Sequence, residues 1–213
     1  MENIIYKAKN SIDTIAVCSF DDNIEADFIQ LENHISSREI NDIKSIRNDL
    51  FRQQKMAGRL LLNMLLGSPG ELEYNEHGKP VLKSHAFDIS FTHSKNKVGI
   101  MLSSQTAGID IQDSIPRIRR IVHKYMNEPE LGSLNENTYE PHATVYWSAK
   151  EALYKAYGER QLIFTENIII QPFRFNAEGG SFTGSISLPG SKRDFVLNYT
   201  WLDEFALVYI WNS

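Results

Sequence analysis

Apolar residues recur along the 213-residue chain with two different periods, and the switches between them mark out its elements. Ile12, Thr14, Ala16 and Cys18 alternate with Ile15 and Val17 and predict an opening strand. Ile24, Phe28, Leu31 and Ile35 then recur at helical spacing behind Asp22-Asn23, residue types that cap helices. Ser36-Ser37-Arg38-Glu39 has the form of a capping box and predicts a second helix with Ile40, Ile43, Ile46 and Leu50 on one face. A third helical run through Phe51, Leu60, Leu61 and Met64 stops at Gly67-Ser68-Pro69-Gly70. Leu72-Tyr74, Phe87-Phe91, Val98-Leu102 and Gly108-Gln112 read as short antiparallel strands joined by turns.

The cycle then repeats. Ile118, Ile121, Val122 and Tyr125 look helical up to Pro129, and a stronger helix covers about Ala143 to Tyr157, closed by Gly158. Period-two segments around Ile168-Ile170, Phe182-Leu188, Phe195-Tyr199 and Phe205-Ile210 alternate with Gly179-Gly180, Pro189-Gly190 and Asp203-Glu204, which predicts an antiparallel meander. Helices followed by short strands, twice over, give an α+β class. We expect two pseudo-duplicated halves, 1–105 and 106–213, each with helices on a small antiparallel sheet and a site at their interface.

Composition narrows the partners. The 42% hydrophobic and 23% charged content is that of a globular protein rather than a disordered one. No apolar run suits a bilayer span: Leu60 to Leu66 is broken by Asn63. Glu2, Lys9 and Asp13 interrupt the stretch where a secretory leader would be apolar, and the single Cys18 excludes an internal disulfide framework, so we expect a cytoplasmic protein. A net charge of -5 disfavours generic nucleic-acid binding. That charge is uneven: Arg38 to Arg59 carries +3 and Ser114 to Asn127 carries +4, leaving -12 for the rest. Two basic islands on an acidic body suit two local anionic partners, or are simply solvated helix faces.

Four stretches carry candidate chemistry. In Gly108-Ile109-Asp110-Ile111-Gln112, strand alternation puts Asp110 and Gln112 on one face, half of a hard-cation site; a lone strand-end acid is more often a solvated rim. At helical pitch Trp147, Glu151 and Lys155 share a face, which offers a carboxylate, a cation and an aromatic wall, or only a surface ion pair. Phe87 to Ser94 ends an apolar strand with Thr92, His93 and Ser94, all able to donate to phosphate oxygens. His77-Gly78-Lys79-Pro80 is a turn presenting one cation. P-loop, dinucleotide-glycine and Gly-x-Ser-x-Gly signatures are missing from the chain.

In this order and spacing the four stretches resemble the 4'-phosphopantetheinyl transferases of the monomeric, surfactin-synthetase-activating type, over about Lys44 to Leu162. Gly78-Lys79-Pro80 is similar to the family's first motif, and Thr92-His93-Ser94 to its Ser-His-Ser segment. Gly108 to Gln112 resembles Gly-Ile-Asp-Ile-Glu, and Trp147 to Lys155 resembles Trp-x-x-Lys-Glu-x-x-x-Lys. The resemblance implies transfer of phosphopantetheine from coenzyme A to a carrier-protein serine, with magnesium and release of 3',5'-ADP. It implies metal positions at Asp110, Gln112 and Glu151, and catalytic roles for Glu151 as base and for Lys155 on the pyrophosphate. It further implies coenzyme contacts from Lys44, Arg47, Arg59, Lys79, Pro80, Thr92 and His93. The stretch Arg117 to Lys124 lies where the family meets its acidic carrier, and the enzyme would act as a monomer in fatty acid, polyketide or peptide synthesis.

Two departures bear on this. Gln112 stands where the family has glutamate, so two carboxylates remain of three and metal affinity should fall. Gly158 to Leu162 replaces a Gly-Lys-Gly-Leu-like stretch. A coenzyme A or carrier binder with impaired catalysis is therefore the alternative, and a metal-dependent phosphatase or nuclease a weaker third reading.

Overall fold

The computed structural model describes residues 3–83, 85–114, 118–159 and 161–212. Strands β1 (Ile4–Lys9) and β2 (Asp13–Ser19) precede helices α1 (Ile24–Leu31), α2 (Ser37–Lys44) and α3 (Asp49–Leu66). Strands β3 (Leu72–Tyr74), β4 (Pro80–Leu82), β5 (Asp88–Ser94), β6 (Lys97–Ser103) and β7 (Ile109–Asp113) follow. Two 3-10 turns, Ile118–Arg120 and Val122–Lys124, lead to α4 (Glu128–Gly132) and α5 (Tyr139–Tyr157). The chain finishes with β8 (Ile168–Ile170), β9 (Gly180–Leu188), β10 (Ser191–Leu202) and β11 (Phe205–Ile210).

The strands pair antiparallel into a four-stranded sheet, β1-β2-β6-β5, and a five-stranded one, β7-β11-β10-β9-β8, beside a β3-β4 ribbon. This is the α+β class expected from the sequence. The first sheet is buried on both faces, which explains why β2 and β6 are apolar at successive positions. Ile15, Val17 and Met101 join a core shared with the second sheet and α5. Ala16, Cys18, Ile100 and Leu102 face a separate core with α1 and α3.

The edges β5 and β7 meet without a backbone ladder. Side-chain oxygens of alternate β5 residues accept β7 amides instead: Ala107 N donates to Asp88 Oδ2 at 2.9 Å, Ile109 N to Ser90 Oγ at 3.3 Å and Ile111 N to Thr92 Oγ1 at 2.9 Å. Each partner lies nineteen residues on, so the two edges run alongside in the same direction. The seam satisfies donors that an open edge would leave unpaired.

Some elements differ from expectation. β1 was not foreseen from Ile4-Ile5-Tyr6-Lys7-Ala8-Lys9, because a short edge strand only partly buried, through Tyr6 and Ala8, carries a weak apolar pattern. The single helical face through Leu50 is split: α2 ends at Lys44, and Asn48 starts α3 by accepting from Phe51 N at 2.9 Å. Pro129 begins α4 rather than stopping a helix, with Asn127 and Glu130 forming a reciprocal capping box.

Candidate active site

Strand β7 and helix α5 approach closely because Gly108 has no side chain. A Cβ there would collide with the Ala152 carbonyl oxygen and meet the Ala156 Cβ at 2.9 Å. Small residues at 108, 152 and 156 therefore let the helix lie against the strand and carry Lys155 onto it. Lys155 Nζ donates to the Ile109 carbonyl at 3.1 Å and pairs with Asp110 Oδ1 at 2.7 Å. Asp110 is only 7% exposed, and its Oδ2 is buried without a hydrogen-bond partner among the described residues. Glu151, one turn before Lys155, is half-buried. Burial first, and then the Asp110 charge, push its pKa above the usual carboxylate range, opposed by Lys155. Strand aspartate, helix glutamate and helix lysine thus share one locality, although about forty residues of chain separate them.

Adjacent Lys150 points the opposite way. It is fully buried against Glu130 Oε2 at 2.8 Å and donates to the Phe164 and Ile168 carbonyls. Glu130 also accepts from Ile170 N and Asn127 N, so this pair ties α4, α5 and β8 together. Trp147 packs against Tyr125 at 5.1 Å and Phe164 at 5.9 Å, among the aromatic residues bordering the core.

Thr92 links this cluster to a cavity of about 910 Å³ between α2, α3, β3 and β5. Its hydroxyl donates to Asp110 Oδ1 at 3.2 Å while accepting from Ile111 N, and both Thr92 and His93 line the cavity. The His93 ring lies edge-on to Phe51 at 5.6 Å. Its pKa is held below the ordinary histidine value by burial, then by the Lys155 and Lys55 cations, with Asp110 opposing. The hydroxyl of Thr92, expected to face phosphate, serves the seam to β7, as does that of Ser90.

Of the other expected coenzyme contacts, Arg59 lines the cavity. Lys44 is exposed and pairs with Glu32 at 2.6 Å, and Arg47 is exposed in the turn after α2. Arg59 is 3% exposed and already engaged at each of its three nitrogens: it binds Glu39 at 2.7 Å, the Gly70 carbonyl at 2.6 Å and the Asn63 side chain. Glu39 therefore holds Arg59 instead of closing the box with Ser36, whose hydroxyl alone caps α2. Lys79 pairs with Asp88 at 2.9 Å and donates to the Ala156 carbonyl at 3.2 Å; Pro80 pairs with Tyr74 across the ribbon. The Gln112 amide nitrogen is held by Asp113 Oδ1 at 2.7 Å. Lys55, Asp113 and Tyr74 join these neighbourhoods unannounced by the sequence, since a lone lysine, acid or tyrosine carries no spacing signal.

Among the described residues no group of three or more His, Cys, Asp or Glu side chains is placed to hold a metal. Asp110 and Glu151 provide two carboxylates, and magnesium commonly takes one or two together with substrate phosphates. The orphaned Asp110 Oδ2 is the atom such a cation would satisfy, so the residues present fit the group. Of the basic stretch, Arg119 is engaged by Glu136 at 3.0 Å and Glu140 at 2.5 Å, while Arg120 and Lys124 are exposed. Arg117, and Arg160 of the departing loop, lie outside the described residues. Among the described residues no helix is long and apolar enough to cross a membrane.

A search of curated proteins finds no match to the chain. Positions 44 to 93 lie outside the single family match. Residues 106–200, which carry Asp110, Glu151 and Lys155, match the model of the 4'-phosphopantetheinyl transferase superfamily.

Proposed function

We propose that the protein moves 4'-phosphopantetheine from coenzyme A to a serine of an acyl or peptidyl carrier protein, with magnesium and release of 3',5'-ADP. One observation carries the reading: a buried Asp110 oxygen with no partner among the described residues, beside Lys155 and within range of the Glu151 charge. A carboxylate oxygen is costly to bury unless something completes it. Magnesium, when bound by Asp110 and Glu151, supplies charge neutralisation of the diphosphate. Lys155 adds a second cation where negative charge collects as the bond to the departing ADP oxygen breaks. Glu151 takes the proton of the serine hydroxyl as the serine oxygen forms the new bond to phosphorus. The acidic carrier docks near Arg120 and Lys124, and the enzyme works as a cytoplasmic monomer.

The competing reading, a binder of coenzyme A with impaired transfer, is favoured by Gln112, an uncharged amide already engaged by Asp113. Incubation with coenzyme A, magnesium and apo carriers of each class, followed by intact mass measurement, separates the two. Transfer adds the phosphopantetheine mass to the carrier, and Glu151→Gln abolishes the addition while keeping the fold. No addition on any carrier, with coenzyme A still bound, establishes the binder.

A further inference from the structure

The cavity wall contains cations with very different freedom. Arg59 is engaged at each of its three nitrogens by Glu39, Asn63 and Gly70, and Arg38 lies 4.0 Å from Asp42. Lys55, on the same face of α3 as Arg59, has no carboxylate partner among the described residues. Its ammonium lies instead over two aromatic faces, 5.3 Å from the Phe51 ring centre and 5.5 Å from that of Tyr74. Nearby acids are engaged elsewhere: Glu39 by Arg59 and Glu73 by Lys83 at 2.5 Å. A half-buried ammonium in a cavity of about 910 Å³ has lost part of its hydration and gained no counter-ion. Burial accordingly holds the Lys55 pKa below its ordinary value. Neighbouring His93 and Thr92 line the same space as Lys55.

We propose that Lys55 is a phosphate-binding residue of the cavity, gripping a phosphate of the coenzyme while Phe51 and Tyr74 hold its side chain in place. An ammonium binds phosphate as a point charge through any of three donors, so ring faces that confine the stem without consuming its hydrogen bonds suit this task. The role rests on the coenzyme A reading above and adds to it a contact from α3, outside the superfamily match.

Isothermal titration of the full chain with coenzyme A, 3'-dephospho-coenzyme A and inorganic pyrophosphate tests it on wild type, Lys55→Met and Lys55→Arg. Methionine keeps the apolar stem, so the variant should unfold at the wild-type urea midpoint. Coenzyme A affinity is expected to fall about tenfold or more in Lys55→Met and to recover in Lys55→Arg. If dephospho-coenzyme A is insensitive to the change, the grip is on the 3'-phosphate; if it weakens equally, the grip is on the diphosphate. Wild-type affinity in Lys55→Met, with carrier modification intact, overturns the assignment. Failure of the wild type to bind coenzyme A strikes the reading of the whole site instead. The pyrophosphate arm then decides for Lys55: loss of binding in the methionine variant supports it, and equal or absent binding in both proteins overturns it.

Discussion

His142 shows how one side chain can set the acid limit of the fold. It is 1% exposed at the start of α5, with rings of Phe173 at 4.7 Å and Tyr146 at 5.0 Å, and its Nε2 has no hydrogen-bond partner among the described residues. Burial pushes its pKa down to about 4, from 6.5 for the exposed ring. An unfolded chain takes up a proton near pH 6.5 that the native chain refuses until about pH 4. The native state is therefore most favoured by this group above pH 6.5 and loses stability as pH falls through that window. The loss reaches up to about 1.4 kcal/mol per pH unit. Replacing the imidazole with phenyl, His142→Phe, should flatten the change in urea midpoint between pH 7 and pH 5. An undiminished change in the variant would mean that other groups govern it.

Helix ends were the best-announced parts of the chain, and they separate two roles of glycine. Gly67 after α3 and Gly158 after α5 both sit in the left-handed region, with φ of 68° and 72°. At Gly67 nothing lies within 4 Å of where a Cβ would be, whereas at Gly158 it would collide with the Lys79 side chain. Gly67→Ala should thus cost the conformational strain alone, about 1 kcal/mol. Gly158→Ala should cost about 1 kcal/mol more, because Lys79 must leave Asp88 and the α5 carbonyl. Equal losses in chemical denaturation would show that Lys79 moves aside freely. Long periodic stretches and glycine stops were legible in the same way, as α3, α5 and the β8–β11 meander show. What stayed hidden was β1, whose neighbours rather than its own pattern make it a strand, and the break at Asn48, where a local cap overrides a continuous apolar face.

Across the molecule, the seam between β5 and β7 determines how the parts of the site face each other. Thr92→Val keeps the shape and removes the acceptor for Ile111 N, so a buried amide is left unpaired. Stability should fall by about 1–3 kcal/mol, with faster hydrogen exchange at the Ile111 amide. Unchanged exchange at that amide would show the seam to be held by packing. That Glu151 and Lys155 share a face was legible from helix periodicity, whereas their meeting with Asp110 was implied by the family resemblance and by no spacing in the chain. The fate of Arg59 and Lys79 was not, since a sequence shows a cation but not the Glu39 or Asp88 that meets it from another element. Nor could spacing reveal that Ser90 and Thr92 spend their oxygens on amides nineteen residues away. Those short tethers act as a ruler. Lys55 and His93 ride on the first sheet and its helix, while Asp110 rides on the second, so a serine-to-threonine or aspartate-to-glutamate exchange along β5 would retune the gap between cavity and carboxylates without disturbing either core.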